Sequence, residues 1–272
     1  MSAEPPDLPP ETPAPPQTPR RGPEAGMERL RLLLAYDGRG FRGWQSQPGG
    51  EGVQDHLEAA FARITGRKTS VQGSGRTDTG VHALGQSAHV DVPAGLLASR
   101  QWQSALNANL AAGVRVLRAS WTRPHFHARF DAEGKVYLYR IWNETFQHPL
   151  EAGRAWHMPS QLDLSRLRAA ADLVVGRHDF ARFAANRGHA VLDTVRTIQS
   201  IGLTRRGPLL TLRFQGNGFL YHMVRLLVGS IVRCAQQRAE LAWIADLLAN
   251  EKAAKTHFLA PAEGLYLARV LY

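Results

Sequence analysis

From residue 27 onward the chain alternates short apolar runs that fit strands with stretches whose apolar residues recur at helical spacing. Arg29-Leu-Arg-Leu-Leu-Leu-Ala-Tyr36 reads as a buried strand, closed by the turn pair Asp37-Gly38. Val53, Leu57, Phe61 and Ile64 fall at i, i+4, i+8 and i+11, the apolar stripe of an amphipathic helix that stops at Gly66. A short strand is expected around 69–72, and a second, with alternating character, over Gln86-Ser-Ala-His-Val-Asp-Val92. Ser99 is placed to N-cap a helix running through Trp102, Leu106 and Leu110, followed by a strand at 114–121. In the strand Lys135-Val-Tyr-Leu-Tyr-Arg-Ile-Trp142, the period of two puts Tyr137, Tyr139 and Ile141 on one face.

The second half repeats the alternation. A helix at 163–174 precedes Gly176-Arg-His-Asp-Phe-Ala-Arg-Phe183, and two strands follow at 195–204 and 208–215. A long helix is expected from Phe219 to Gln236, a shorter one from Ala239 to Asn250, and a closing strand over Leu265-Tyr-Leu-Ala-Arg-Val270. Each half supplies several strands and about two helices, which predicts an α+β layer architecture with a boundary near Asn143–Pro149. The expected organisation is therefore a tail over 1–26, one half over 27–145 and another over 146–272.

Composition changes this picture in three ways. Residues 1–26 hold nine of the sixteen prolines and almost no large apolar side chains, so they are expected to be disordered with polyproline II character. The net charge of +10 does not come from that tail, which has two basic and four acidic residues; residues 27–272 carry 31 basic against 19 acidic. A polyanionic partner follows, and 29 of the 33 basic residues are Arg, whose planar fork suits bidentate phosphate recognition. The one cysteine, Cys234, excludes an intrachain disulfide and a multi-cysteine metal site, and it lies in an apolar helical run as a buried, inert thiol would. His125 and His127 have no partner ligands at useful spacing, and no zinc-deaminase signature is present, so no metal and no cofactor are expected. No run approaches the roughly 20 apolar residues of a membrane span, and no apolar signal core opens the chain, so a cytoplasmic protein is expected.

The stretch that offers chemistry is Gly73-Ser-Gly-Arg-Thr-Asp-Thr-Gly-Val-His82. Glycine at 73, 75 and 80 lets main chain take positive φ and approach a ligand closely, and Asp78 is the reactive group on offer. A dinucleotide fingerprint would need its third glycine at 78, and a Walker phosphate loop would need Lys after Gly80, where Val81-His82 stand. Two readings remain: a turn whose Asp caps backbone amides, or a reactive carboxylate held by a strand on each side. Likewise Arg39-Gly-Phe-Arg-Gly-Trp-Gln45 fits phosphate contact with base stacking, and equally a loop whose Phe41 and Trp44 cover a core edge.

Taken together with further runs, that loop resembles the active-site signature of the tRNA pseudouridine synthase A family. The runs, in order, are Tyr36-Asp-Gly38 with Phe41-Arg-Gly-Trp-Gln45, Leu106-Asn-Ala-Asn-Leu110, Phe126-His-Ala-Arg-Phe130, Gly176-Arg-His-Asp-Phe180, Phe219-Leu-Tyr-His-Met-Val-Arg-Leu-Leu-Val-Gly229 and Ala260-Pro-Ala-Glu-Gly-Leu-Tyr-Leu267. The resemblance covers residue 29 to the end; the proline-rich tail is outside it, and Leu138 stands where many members have a basic residue. It implies the pseudouridine synthase fold, with two ferredoxin-like halves sharing a mostly antiparallel sheet, helices packed outside and a central RNA-binding cleft. It implies isomerisation of uridine at tRNA positions 38, 39 and 40, without cofactor, by a homodimer. It also implies residue roles: Asp78 as catalytic aspartate, Tyr137 against the target base, Arg76 holding the flipped-out nucleotide, Arg225 paired with the carboxylate, and Leu265 lining the pocket.

The chemistry agrees with the residues. Breaking a glycosidic bond and rejoining the base through carbon needs no redox change, and one carboxylate can act as nucleophile or general base. A base stacked in an RNA stem must first be extruded, which an Arg-rich surface and an aromatic face at Tyr137 would assist. A hydrolase that removes the base would normally show paired carboxylates, and Asp78 has no acidic neighbour in its motif. A non-catalytic RNA-binding protein on the same scaffold is the remaining alternative.

Overall fold

The computed structural model describes residues 21–185, 193–249 and 253–272; the tail over 1–20 and the expected helix end at Asn250 lie outside the described residues. In chain order the first half forms β1 (Met27–Tyr36), α1 (Val53–Thr65), β2 (Gln72–Gly73), β3 (His82–Pro93), α2 (Ser99–Asn109), β4 (Val114–Trp121) and β5 (Gly134–Trp142). The second adds β6 (Trp156–His157), α3 (Leu164–Asp172), β7 (Gly176–Asp179), β8 (Val195–Arg206), β9 (Leu209–Gly216), α4 (Met223–Ala235), α5 (Leu241–Ala249) and β10 (Leu265–Leu271). The fold is α+β, as expected.

Among the described residues all ten strands belong to one sheet, in the order β4-β1-β3-β10-β5-β9-β8-β7, with β2 added to β3 and β6 to β5. The pairings are antiparallel except β10 with β3 and β5 with β6. The last strand thus fills the centre of the sheet, with Leu267 opposite Ala83 on one side and Tyr137 on the other. Cross-strand partners share a face, so Leu30, Leu32 and Leu34 of β1 lie on the same side as Tyr137, Tyr139 and Ile141 of β5 and Leu210, Leu212 and Phe214 of β9. All of these are buried in one core with the apolar stripes of the helices.

The helices follow local rules. In α1, Val53, Leu57 and Phe61 are buried, Asp55 accepts from the Gly52 amide at 2.9 Å, and Gly66 ends the helix with φ of 71°. Phe61 meets Trp102 of α2 with ring centroids 5.5 Å apart. Ser99 is the first residue of α2 and not its cap; Ala98 holds that place, its amide donating to Gln101 at 2.8 Å. Asp163 caps α3 as a carboxylate should, accepting from the Ser165 and Arg166 amides. α4 begins at Met223, four residues later than its apolar run predicts, because His222 adopts a left-handed conformation that no helix continues through. Gly229 of α4 lets the backbone at Phe258 cross in contact with it, where a Cβ would collide with the Phe258 carbonyl. Residues 21–26 lie against the body: Arg29 Nη2 donates to the Arg21 carbonyl at 3.4 Å, and the Ala94 amide to that of Gly26 at 2.9 Å.

Candidate active site

Between β2 and β3 the glycine loop is fastened on several sides. The Ser74 amide donates to Ser87 at 2.8 Å, Gln86 Nε2 to the Gly75 carbonyl at 2.7 Å, and the Trp44 amide to the Thr77 carbonyl at 3.0 Å. The Thr77 hydroxyl meets the buried Tyr36 hydroxyl at 2.8 Å, and burial pushes that phenol up to about 12. The three loop glycines do not share one reason. Only Gly80 takes positive φ, at 80°; Gly73 is needed because a Cβ there would stand 2.5 Å from the Trp44 indole. Trp44 and Phe41 are 2% and 6% exposed, so these aromatics cover a core edge, and Trp44 braces the loop from beneath.

This framework sets Asp78 against the start of α4. Arg225 Nη1 donates to Asp78 Oδ2 at 3.2 Å, and His222 Nε2 lies 3.3 Å from the same oxygen. His222 stands just before α4 in a left-handed conformation and Arg225 lies in its first turn, and both side chains reach the same carboxylate oxygen. Arg225 is itself held, since its Nε donates to the Ala260 carbonyl at 2.8 Å. Its side chain and that of Asp78 are 12% and 20% exposed, so the pair is only partly screened by water.

A cleft of about 940 Å³ opens over this pair, and Asp78, Arg76, Tyr137, Arg225 and Leu265 all line it. Tyr137 and Leu265 reach it from neighbouring strands of the buried face, with Leu265 in register with Tyr139. The Tyr137 and Phe219 rings pack nearly perpendicular, with centroids 5.1 Å apart. Burial pushes the Tyr137 phenol well above its usual range, with the charges of Tyr36 and Asp78 adding to the effect, so it stays protonated at neutral pH. Arg76 is exposed on the rim.

Two lining residues had not been singled out from sequence. His222 belongs to the Phe219–Gly229 run, but its left-handed backbone, φ 61°, is invisible in the residue pattern. Lys135 lies at the mouth of β5, where Nζ donates to the Ser74 carbonyl at 3.0 Å and burial lowers the ammonium to about 8. With Arg129 and Arg196 it gives the cleft wall a positive charge suited to a phosphodiester chain.

A family model described as tRNA pseudouridine synthase matches residues 33–131 and 170–272. The tRNA pseudouridine synthase A of Akkermansia muciniphila is 43% identical over 253 residues, covering 90% of this chain and 96% of that one. Those of Geobacillus kaustophilus and Solidesulfovibrio magneticus are 41% and 45% identical, covering 90% of this chain and 95% and 92% of theirs. A solved structure of a Cbf5-Nop10-Gar1 complex has a TM-score of 0.34 at 11% identity, covering 75% of this chain and 44% of that one, a likeness too slight to specify fold or function. The family match spans both sides of the cleft, the Asp78 loop in its first segment and Arg225 in its second, and the chain belongs to the tRNA pseudouridine synthase family.

Proposed function

We propose that this chain is an isomerase that converts uridine to pseudouridine in tRNA, at positions 38, 39 and 40 of the anticodon stem-loop, with Asp78 as the catalytic residue. The observation that carries the reading is the placement of one carboxylate, paired with Arg225 at 3.2 Å, at the base of a basic cleft. The reaction breaks N1–C1′, turns the uracil and joins C5 to C1′; the proton leaving C5 is balanced by the one N1 gains. No oxidant or energy source is required. Asp78 serves as nucleophile or general base, and Arg225, donating to its Oδ2, orients the carboxylate.

The remaining residues divide the labour of substrate handling. An extruded uracil meets Tyr137 and Leu265, an aromatic and an aliphatic wall, and Arg76 on the rim holds the flipped nucleotide. The cationic lining supplies sequence-independent attraction for the stem. We place the enzyme in the cytoplasm as a homodimer on the family resemblance; no helix among the described residues is long and apolar enough to cross a membrane.

Incubation with unmodified tRNA, followed by mass-spectrometric mapping of pseudouridine, tests the proposal. New pseudouridine at 38, 39 and 40 is expected. Release of free uracil would indicate a hydrolase, and tRNA binding without product would leave a non-catalytic RNA-binding protein.

A further inference from the structure

His222 makes the second contact with the reacting carboxylate. We propose that it is a positioning residue: its Nε2–H donates to Asp78 Oδ2, and together with Arg225 it fixes the carboxylate so that Oδ1 is the oxygen presented to the substrate. The inference rests on the reading of Asp78 as the reacting group.

Three observations converge on this. Both donors address one oxygen, at 3.2 Å from Arg225 and 3.3 Å from His222, so rotation of the carboxylate about its terminal bond would cost two contacts. The His222 and Asp78 side chains are only 18% and 20% exposed, which limits competition from bulk water. Finally, His222 occupies the N-cap of α4 at φ 61° and ψ 0°, yet its side chain makes no cap hydrogen bond to the helix. A cap position ordinarily selects Ser, Thr, Asp, Asn or Gly, and a left-handed backbone disfavours a histidine. Strain of this kind persists where the surroundings over-determine it and clusters at active sites. Here the left-handed turn aims the imidazole at Asp78, and the Tyr221 ring, at 3.8 Å and tilted 30° from it, holds its plane.

The test must separate the imidazole from the backbone. Asn enters the left-handed region more readily than His, so His222→Asn preserves the turn while its shorter amide falls short of the Nε2 position. We expect kcat on unmodified tRNA to fall about 10- to 100-fold, as for loss of a hydrogen bond to a charged group, with KM within about twofold and the unfolding midpoint unchanged. His222→Gln, whose amide nitrogen overlays Nε2, should recover part of kcat. Wild-type kcat in His222→Asn, or a loss confined to KM, would overturn the proposal. A second readout is independent of turnover: the 15N resonances of His222 in the wild-type protein and in Asp78→Asn. A shift at Nε2 between the two supports the hydrogen bond, and identical resonances overturn it. Absence of turnover in the wild type would count against Asp78 as reacting group, while the nitrogen shift still decides whether His222 donates to it.

Discussion

Arg225 reaches Asp78 across 147 positions of sequence, with Nη1 3.2 Å from Oδ2. Two short segments, the turn before β3 and the first turn of α4, meet there because β10 threads between β3 and β5 and joins the two halves of the sheet. The same guanidinium donates to the Ala260 carbonyl, so it couples the carboxylate to the segment that leads into β10.

Replacing Arg225 should therefore act twice. Arg225→Ala leaves a partly enclosed carboxylate without its main counter-charge and should lower kcat by about 10- to 100-fold. It also removes the tether to Ala260, a loss of about 1 kcal/mol of stability. Arg225→Lys keeps the charge but cannot serve both acceptors with one planar fork, so intermediate activity is expected. Single-turnover kinetics alongside urea unfolding separate the two effects.

Tyr137 contributes a buried ring whose phenol stays protonated. If the ring face is what the uracil needs, Tyr137→Phe should retain activity within about tenfold, whereas Tyr137→Leu should lose stacking of about 1–3 kcal/mol and fall further. Rates for the two variants on the same tRNA decide this; equal losses would assign the hydroxyl and not the ring.

A pH effect on stability is expected from His89, which is remote from Asp78 in its contacts. Burial, reinforced by the positive charges of Arg29 and His127, lowers this imidazole from 6.5 to about 4, and its Nδ1 accepts from the Ala128 amide at 3.1 Å. Between pH 4 and 6.5 the unfolded chain binds the proton that the folded chain refuses. Stability should accordingly be full above pH 6.5 and fall as pH drops towards 4, by about 3 kcal/mol at most. His89→Asn retains an acceptor for Ala128 without a titrating ring. Urea unfolding across this window should show a shallower slope for the variant than for the wild type.

How much of this was legible in the sequence depended on range. The Val53, Leu57, Phe61 stripe of α1 and the alternation of Tyr137, Tyr139 and Ile141 were readable because periodicity is local, and both sets are buried as expected. The short strand expected around 69–72 forms as β2 over Gln72–Gly73, whereas two-residue β6 is too short to carry a period and β7 exists because β8 offers it an edge. The start of α4 was misplaced because Phe219–Tyr221 are as apolar as the helix itself, and only the left-handed His222 separates them. Within the site, glycine at 73 suggests positive φ, but what requires it is Trp44, nearly thirty positions earlier in the chain. Asp78, Arg76, Tyr137, Arg225 and Leu265 could be named from motifs, but their meeting in one cleft depends on the β3-β10-β5 order, which no local pattern encodes.

If Asp78 carries out the isomerisation and the rest of the cleft holds the RNA, chemistry and binding separate at this one residue. The most direct measurement pairs Asp78→Asn with the wild type, comparing tRNA affinity by filter binding and pseudouridine formation by mass spectrometry. Affinity within a few-fold of wild type and no detectable pseudouridine are expected of the variant. Pseudouridine formed by Asp78→Asn at a rate near that of the wild type would contradict this role of Asp78.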